Sequence, residues 1–180
     1  MEYSSESPRI KQLIQSALEL TRSNLTYTFG SADPERGGMD CSGFVYYILK
    51  QNGFKEVPRD SSGLYVWLRK AGTFRAVLSS NPESFEFDEL RPGDLLFWTG
   101  SYAVDRDPPV SHSAIYLGRE KGAKNRIMVA SSDGQTYRGK QRWGVSVFDF
   151  RLRKASAASE GRARGQFVGY ARIPGLRNER

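Results

Sequence analysis

Apolar residues recur at helical spacing in the first seventy residues of the chain and at strand spacing thereafter. Over residues 8–22 they return every three to four positions, which predicts a helix. A second helix is predicted to begin after Asp40, a good N-terminal cap, and to end before Gly53. A third helix is predicted from Ser61 or Ser62 to Lys70.

Beyond Gly72 the apolar runs shorten to strand length. Strands are predicted over residues 94–98, 111–118, 126–130, 144–150 and 166–173. Residues 24–38, 99–110 and 151–165 contain the glycine, proline and polar residues that are typical of loops. Helices first and strands afterwards predict an α+β fold in which N-terminal helices pack on a central antiparallel β-sheet.

Composition narrows the class of protein. The 180 residues carry 27 Lys and Arg against 20 Asp and Glu, a net charge of +7. One cysteine and one histidine exclude an internal disulfide and the usual four-ligand structural zinc sites. We expect no metal or cofactor, and no membrane span, because no apolar run reaches the length that a bilayer needs.

The excess of basic over acidic residues has two interpretations. It either keeps the protein soluble or attracts an anionic partner such as a cell wall, whereas no motif indicates specific nucleic-acid recognition. The basic positions 151, 153, 154, 162 and 164 favour a solvated loop or attraction to such a wall. The N-terminus lacks the apolar stretch of a secretory signal, so we expect either no export by that route or a removed leader.

The segment around Cys41 is the strongest candidate for chemistry. Directly after the cap Asp40, the thiol lies in the first helical turn, where free N–H groups and the helix dipole favour negative charge. We therefore expect a lowered thiol pKa, as in nucleophilic cysteines. The small residues Ser42 and Gly43 are expected to leave space for a substrate carbonyl, with nearby backbone N–H groups as oxyanion donors. The alternative is that Cys41 is a small buried apolar residue.

His112 is the only histidine and begins a predicted strand, 71 positions after Cys41. One cysteine at a helix end and one histidine at a strand end are the components of a thiol–imidazole pair. The alternative is an ordinary surface or core histidine. The tryptophans at 67, 98 and 143 are interpreted as core or cleft residues rather than a stacking platform.

Six segments in order resemble the NlpC-type cell-wall cysteine peptidases, a papain-like family. In chain order they are the aromatic-glycine segment 27–30, the nucleophile segment 40–45, the Pro-Arg segment 57–61, the strands 91–97 and 112–118, and the closing strand 167–173. The resemblance extends over residues 10–173. It implies one catalytic domain over 1–180, with its core at about 10–173, acting as a monomer and without a separate wall-binding domain.

The resemblance also implies a mechanism and a place of action. Cys41 would attack an amide carbonyl of a peptidoglycan stem peptide and form a thioester, with His112 as general base and acid. The bond expected is the one between D-glutamate and the diamino acid, and the location is the cell envelope. Tyr27 and Ser42 would line the site, and Arg59, or else Arg69 or Arg75, would bind substrate carboxylates.

The chain departs from the family at one position. A polar residue that orients the imidazole is expected on the strand after His112, but Val129 occupies that place. Ser131 is favoured as the replacement because it shares the strand face of Val129. Asp133, Gln135, a backbone carbonyl or a water are the alternatives.

Two other functions stay open at this point. The same fold could support an amidase or acyltransferase, because a fold alone does not select the reaction. Val129 favours the other alternative, a catalytically inactive wall-binding module.

Overall fold

Three α-helices precede the main sheet in a computed structural model that describes residues 1–152 and 165–177. They are α1 (Pro8–Leu20), α2 (Cys41–Gln51) and α3 (Ser61–Lys70). All three predicted helices are confirmed, although α1 ends two residues earlier than expected. Asp40 and Asp60 cap α2 and α3, and each accepts a hydrogen bond from the backbone N–H three residues on.

Eight strands complete the fold within the described residues. They are β1 (Thr26–Tyr27), β2 (Gly38–Met39), β3 (Phe74–Ala76), β4 (Leu95–Thr99), β5 (Val110–Arg119), β6 (Arg126–Tyr137), β7 (Lys140–Asp149) and β8 (Gln166–Ala171). The sequence missed β1, β2 and β3, which have only two or three residues each and so show no alternation.

The main sheet has the order β3-β8-β4-β5-β6-β7, and every neighbouring pair is antiparallel. This confirms the predicted α+β class. The closing strand β8 does not extend an edge but inserts between β3 and β4. Within the described residues, no helix is both long and apolar enough to cross a membrane.

The central strand β5 buries both of its faces. On β5, Ile115 and Leu117 pack with the apolar sides of the three helices, whereas Ala114 and Tyr116 pack on the other face with Phe148. Burying one such large side chain stabilises the fold by about 1.5–3 kcal/mol. The core therefore fixes the helices against the sheet and, with them, the N-terminus of α2.

Strands β5 and β6 pair along only part of their length. The paired residues of β5 run from Ile115, opposite Val129, to Arg119. The earlier part of β5 pairs with β4, where His112 lies opposite Trp98. The edge of β5 beside His112 is therefore not paired with β6. The first residue of α2 contacts this edge instead.

Candidate active site

The N-termini of α2 and α3 have matching sequences and face each other. Asp-Cys-Ser-Gly begins at residue 40 and Asp-Ser-Ser-Gly at residue 60. Asp40 Oδ1 accepts from the N–H of Gly43 at 2.6 Å, and Asp60 Oδ1 accepts from that of Gly63 at 2.9 Å. The first residue of each helix meets the other, with Cys41 Sγ 3.7 Å from Ser61 Oγ. Two helix N-termini thus direct their partial positive charge toward the sulfur.

The third wall around the sulfur is the edge of β5. The thiol donates to the carbonyl oxygen of Ser111 at 3.7 Å, and the backbone N–H of Ser113 also interacts with it. Ser113 Oγ lies 3.2 Å from Ser61 Oγ. The sulfur therefore lies against the backbone on both sides of His112, which brings together the two segments that the sequence singled out. Within residues 1–152 and 165–177, its hydrogen bonds go to these groups and not to the imidazole ring.

His112 is held by an aromatic ring and an amide. Its ring centroid lies 5.2 Å from that of Trp98, and its Nε2 lies 3.3 Å from Nε2 of Gln135. Burial lowers the pKa of His112 to about 4, against the opposing effect of the Asp133 charge. The imidazole is thus neutral near pH 7 and able to accept a proton.

The residue against the imidazole is Gln135, one of the alternatives, rather than the favoured Ser131. Ser131 Oγ donates instead to the carbonyl of Met39 at 2.5 Å and is fully buried. Val129 lies in the core between the sheet and the helices. Asp133 influences the ring by its charge. Ser131 therefore helps to position the start of α2, and the expectation that it orients the ring is corrected.

The expected lowering of the thiol pKa is not found. Burial raises the pKa of Cys41, and hydrogen bonds from Ser113, Ser61 and Ser42 oppose this only in part. The residue is 3% exposed. Desolvation of a thiolate here outweighs the helix dipole, so the resting sulfur carries its proton.

Gly43 serves packing and not substrate access. A Cβ at this position would lie 2.1 Å from the carbonyl oxygen of Ser31. The expected open space over the helix end is therefore filled by the loop that precedes β2. Glycine is needed here because the two backbones approach so closely.

Arg59 binds the cap of α2. Its two terminal nitrogens each lie 3.1 Å from one carboxylate oxygen of Asp40, and one of them also donates to Ser42 Oγ at 3.1 Å. Asp40 further accepts from the N–H of Gly30 at 2.8 Å. The expectation that Arg59 offers its fork to a substrate carboxylate is corrected, because Asp40 occupies that fork. Arg75, an alternative, pairs with Glu89.

The charged groups of the site raise the pKa values of two tyrosines. Burial raises the pKa of Tyr27, and the negative charge that Cys41 carries once it is ionised, together with that of Asp40, raises it further. Burial and the same two charges also raise the pKa of Tyr102. Tyr27 was expected in the site, whereas Tyr102 was missed because it belongs to the loop between β4 and β5.

That loop is attached to the rest of the site. Ser62 Oγ donates to the carbonyl of Pro108 at 2.6 Å, and the N–H of Ser101 donates to Ser111 Oγ at 2.9 Å. These contacts join the loop to the N-terminus of α3 and to β5. Tyr102 belongs to this attached loop, and its ring lies edge-on to that of Phe29 with 5.9 Å between the centroids.

Comparisons with known proteins find related sequences and structures. A profile of the NlpC/P60 family matches residues 24–145. Over 84 residues the chain is 33% identical to the γ-D-glutamyl-L-lysine dipeptidyl-peptidase of Bacillus subtilis (strain 168), a match that spans 47% of this chain and 22% of the relative. The chain thus covers only about a fifth of that relative's length.

One solved structure shows the same fold. The NlpC/p60 domain of the peptidoglycan hydrolase SagA superposes with a TM-score of 0.50 at 22% identity, over 78% of this chain and 88% of that one. A lipoprotein-like NLP/P60 protein from Staphylococcus aureus gives 0.49 at 18% identity, over 82% and 42%.

Proposed function

Because the chain belongs to the NlpC/P60 family, we propose that it is a cysteine hydrolase that cleaves amide bonds in peptidoglycan stem peptides. The observation that carries this proposal is the contact of the Cys41 thiol with the backbone on both sides of His112. The bond we propose is the one between D-glutamate and the diamino acid. A relative named as a γ-D-glutamyl-L-lysine peptidase supports that choice.

The protonation states suggest how the reaction starts. The thiol is protonated and the imidazole neutral at rest. His112 takes the proton of Cys41 as the sulfur attacks the substrate carbonyl, so that charge develops only when substrate is present. The thioester forms as the amide nitrogen leaves with the proton from His112. Water activated by His112 then hydrolyses the thioester and restores the thiol.

Gln135 orients the ring in this scheme. Amide oxygen and nitrogen are assigned from their contacts, so the oxygen can be the atom that meets Nε2. It then accepts Nε2–H, which leaves the lone pair of Nδ1 to take the thiol proton. The backbone N–H of Cys41 or Ser42, at the N-terminus of α2, stabilises the oxyanion.

The same proposal covers the boundaries of the catalytic domain and the location of the protein. Residues 10–173 act as one catalytic domain, and the substrate places the protein in the cell envelope. The net charge of +7 favours attraction to an anionic wall.

The decisive variant is Cys41→Ala. It removes the nucleophile but leaves the cap Asp40 and its hydrogen bonds in place, so we expect a folded protein that releases no product from defined muropeptides. Circular dichroism checks the fold, and mass spectrometry of the products identifies the bond that the natural enzyme cleaves. Undiminished cleavage by the folded variant would overturn the proposal, and products cut at another amide would favour the amidase or acyltransferase alternative.

A further inference from the structure

A groove of about 320 Å³ lies beside the candidate active site. Its lining includes Asn24, Thr26, Tyr27, Arg142, Trp143 and Ser146. Tyr27 of β1 pairs with Met39 of β2, two residues before Cys41. The groove therefore continues the site along the β1–β7 side of the molecule.

Trp143 is the unusual member of this lining. Its side chain is 64% exposed, although tryptophan is a residue that folding normally buries to a large extent. A large aromatic face beside a groove with polar walls is typical of a binding position rather than of core packing.

The groove walls are fixed by the backbone. The N–H of Val145 donates to the carbonyl of Leu25 at 3.0 Å, which joins β7 to the start of β1. Gly144 has a φ of +69°, and a Cβ there would lie 1.9 Å from the same carbonyl. Trp143 directly precedes this close contact, so its backbone has a defined position before any ligand arrives.

The polar groups of the groove indicate the chemistry of its occupant. Asn24, Thr26 and Ser146 supply amide and hydroxyl groups, and Arg142 supplies the cation. The guanidinium of Arg142 is held 4.4 Å over the Tyr137 ring and lies 3.4 Å from Ser146 Oγ. A ligand with one apolar face, an edge of hydroxyl and amide groups and a nearby carboxylate satisfies all of these.

We propose that this groove is a saccharide subsite in which a sugar ring of peptidoglycan stacks on Trp143. The inference rests on the proposed function, because the stem peptide is attached to an amino-sugar chain through a lactyl group. The sugar hydroxyl and acetamido groups meet Asn24, Thr26 and Ser146, while the stem peptide extends past Tyr27 toward Cys41. The enzyme then prefers stem peptides that still carry their sugars.

The test compares two substrates that differ only in the sugars. One is a disaccharide–stem peptide, and the other is the same stem peptide without sugars. We expect Trp143→Ala to lower kcat/KM for the sugar-bearing substrate about tenfold and to leave that for the free peptide within about twofold. Trp143→Phe keeps an aromatic face and should retain most of the preference. Phe85→Ala removes another aromatic residue, 82% exposed and outside the groove, and is the matched control.

A binding measurement separates this inference from the proposed function. Calorimetry on the Cys41→Ala protein gives the affinity for the same two compounds without turnover. Tighter binding of the sugar-bearing compound that disappears in the Cys41→Ala, Trp143→Ala double variant supports the subsite, even if the natural protein cleaves neither compound. Equal affinities for the two compounds, or equal losses for both substrates in Trp143→Ala, would overturn it.

Discussion

At the scale of single residues, the protonation of two side chains characterises the candidate site. Burial raises the pKa of Cys41 and lowers that of His112 to about 4, so both are uncharged near neutral pH. Two neutral groups avoid the desolvation cost of a thiolate and an imidazolium. The proton is therefore expected to move only when a substrate occupies the site.

Replacing Gln135 by glutamate tests the assignment of this residue. A carboxylate about as close as the present 3.3 Å contact would stabilise the imidazolium and raise the pKa of His112. Activity needs neutral imidazole, which is lost as the pH falls through that pKa. We expect the acidic limb of kcat/KM to begin near pH 4 in the natural protein and at a higher pH in Gln135→Glu.

The controls for this experiment lie on the same strand. Gln135→Ala removes the orienting contact and should lower kcat by about 10–100-fold, as does loss of other groups that orient a catalytic residue. Ser131→Ala should leave the acidic limb in place and instead lower stability by about 0.5–1.5 kcal/mol, since the Met39 carbonyl loses this hydrogen bond but keeps the one from the Thr28 N–H. An acidic limb that is the same in Gln135→Glu and the natural protein would contradict the assignment.

The contact of Gln135 with the imidazole could not be predicted from strand alternation. Alternation from Val129 points to Ser131, but the pairing of β6 with β7 shifts register between Ser132 and Gln135. Gly134, with a φ of +146°, lies within that irregularity. A bulge changes which side chains share a face, and nothing in the local pattern of apolar residues reveals it.

At the scale of elements, local signals were sufficient for the helices. Caps at Asp40 and Asp60 and the apolar stripes gave the starts of α2 and α3 correctly, because both signals lie within a few residues of the helix end. The contact between the two helix ends depends on the sheet beneath them. It could not be predicted from either segment alone.

The matched helix ends provide an internal comparison at Gly43 and Gly63. Alanine at 43 would place its Cβ 2.1 Å from the backbone oxygen of Ser31, whereas alanine at 63 meets the Pro58 side chain at 2.9 Å. We expect Gly43→Ala to lower the free energy of unfolding by about 1–3 kcal/mol, the usual cost of overpacking, and Gly63→Ala by less. Urea denaturation of both variants measures the difference. Equal free energies of unfolding for the two variants would show that the loop before β2 moves aside without loss of stability.

At the scale of the whole molecule, Arg177 joins the end of the described chain to its beginning. It donates to Glu6 at 2.9 Å and to the carbonyl of Pro92 at 2.9 Å, and lies 4.0 Å from Asp94. These partners precede α1 and β4. No local pattern indicates this contact, because its members are up to 171 positions apart.

Asp94 makes the stability of the fold depend on pH. Burial raises the pKa of this carboxyl to about 6, although the charges of Arg177 and Arg172 oppose the shift and Glu6 adds to it. The folded pKa exceeds the unfolded value of 3.8, so the folded state gains from protonation, and that gain is lost as the pH rises from about 4 through 6. Asp94→Asn stays neutral throughout.

We therefore expect the Asp94→Asn variant to gain stability relative to the natural protein as the pH increases from 4 to 7, by about 2–3 kcal/mol in total. Chemical denaturation at several pH values measures this difference. A difference that is constant over that range would show that Asp94 does not titrate with a raised pKa in the folded state. Glu89→Gln, an exposed acid paired with Arg75, is the control and should show little dependence.

The order of the sheet was only partly predictable. The α+β fold class and five of the strands could be predicted from the periodicity of apolar residues. The position of β8 between β3 and β4 could not, because it depends on a long-range pairing that apolar spacing does not encode. Most of the basic positions from 151 to 164 lie outside the described residues, so their expected role in attraction to a wall stays a prediction.

The hydrogen bond from the Cys41 thiol to the Ser111 carbonyl has a consequence for the catalytic cycle. It exists only while the sulfur bears hydrogen. In the proposed reaction each acylation withdraws that donor from the edge of β5, and each deacylation returns it. The protein interior thus favours the free enzyme over the acylated one, which helps to release the second product and to prepare the next round.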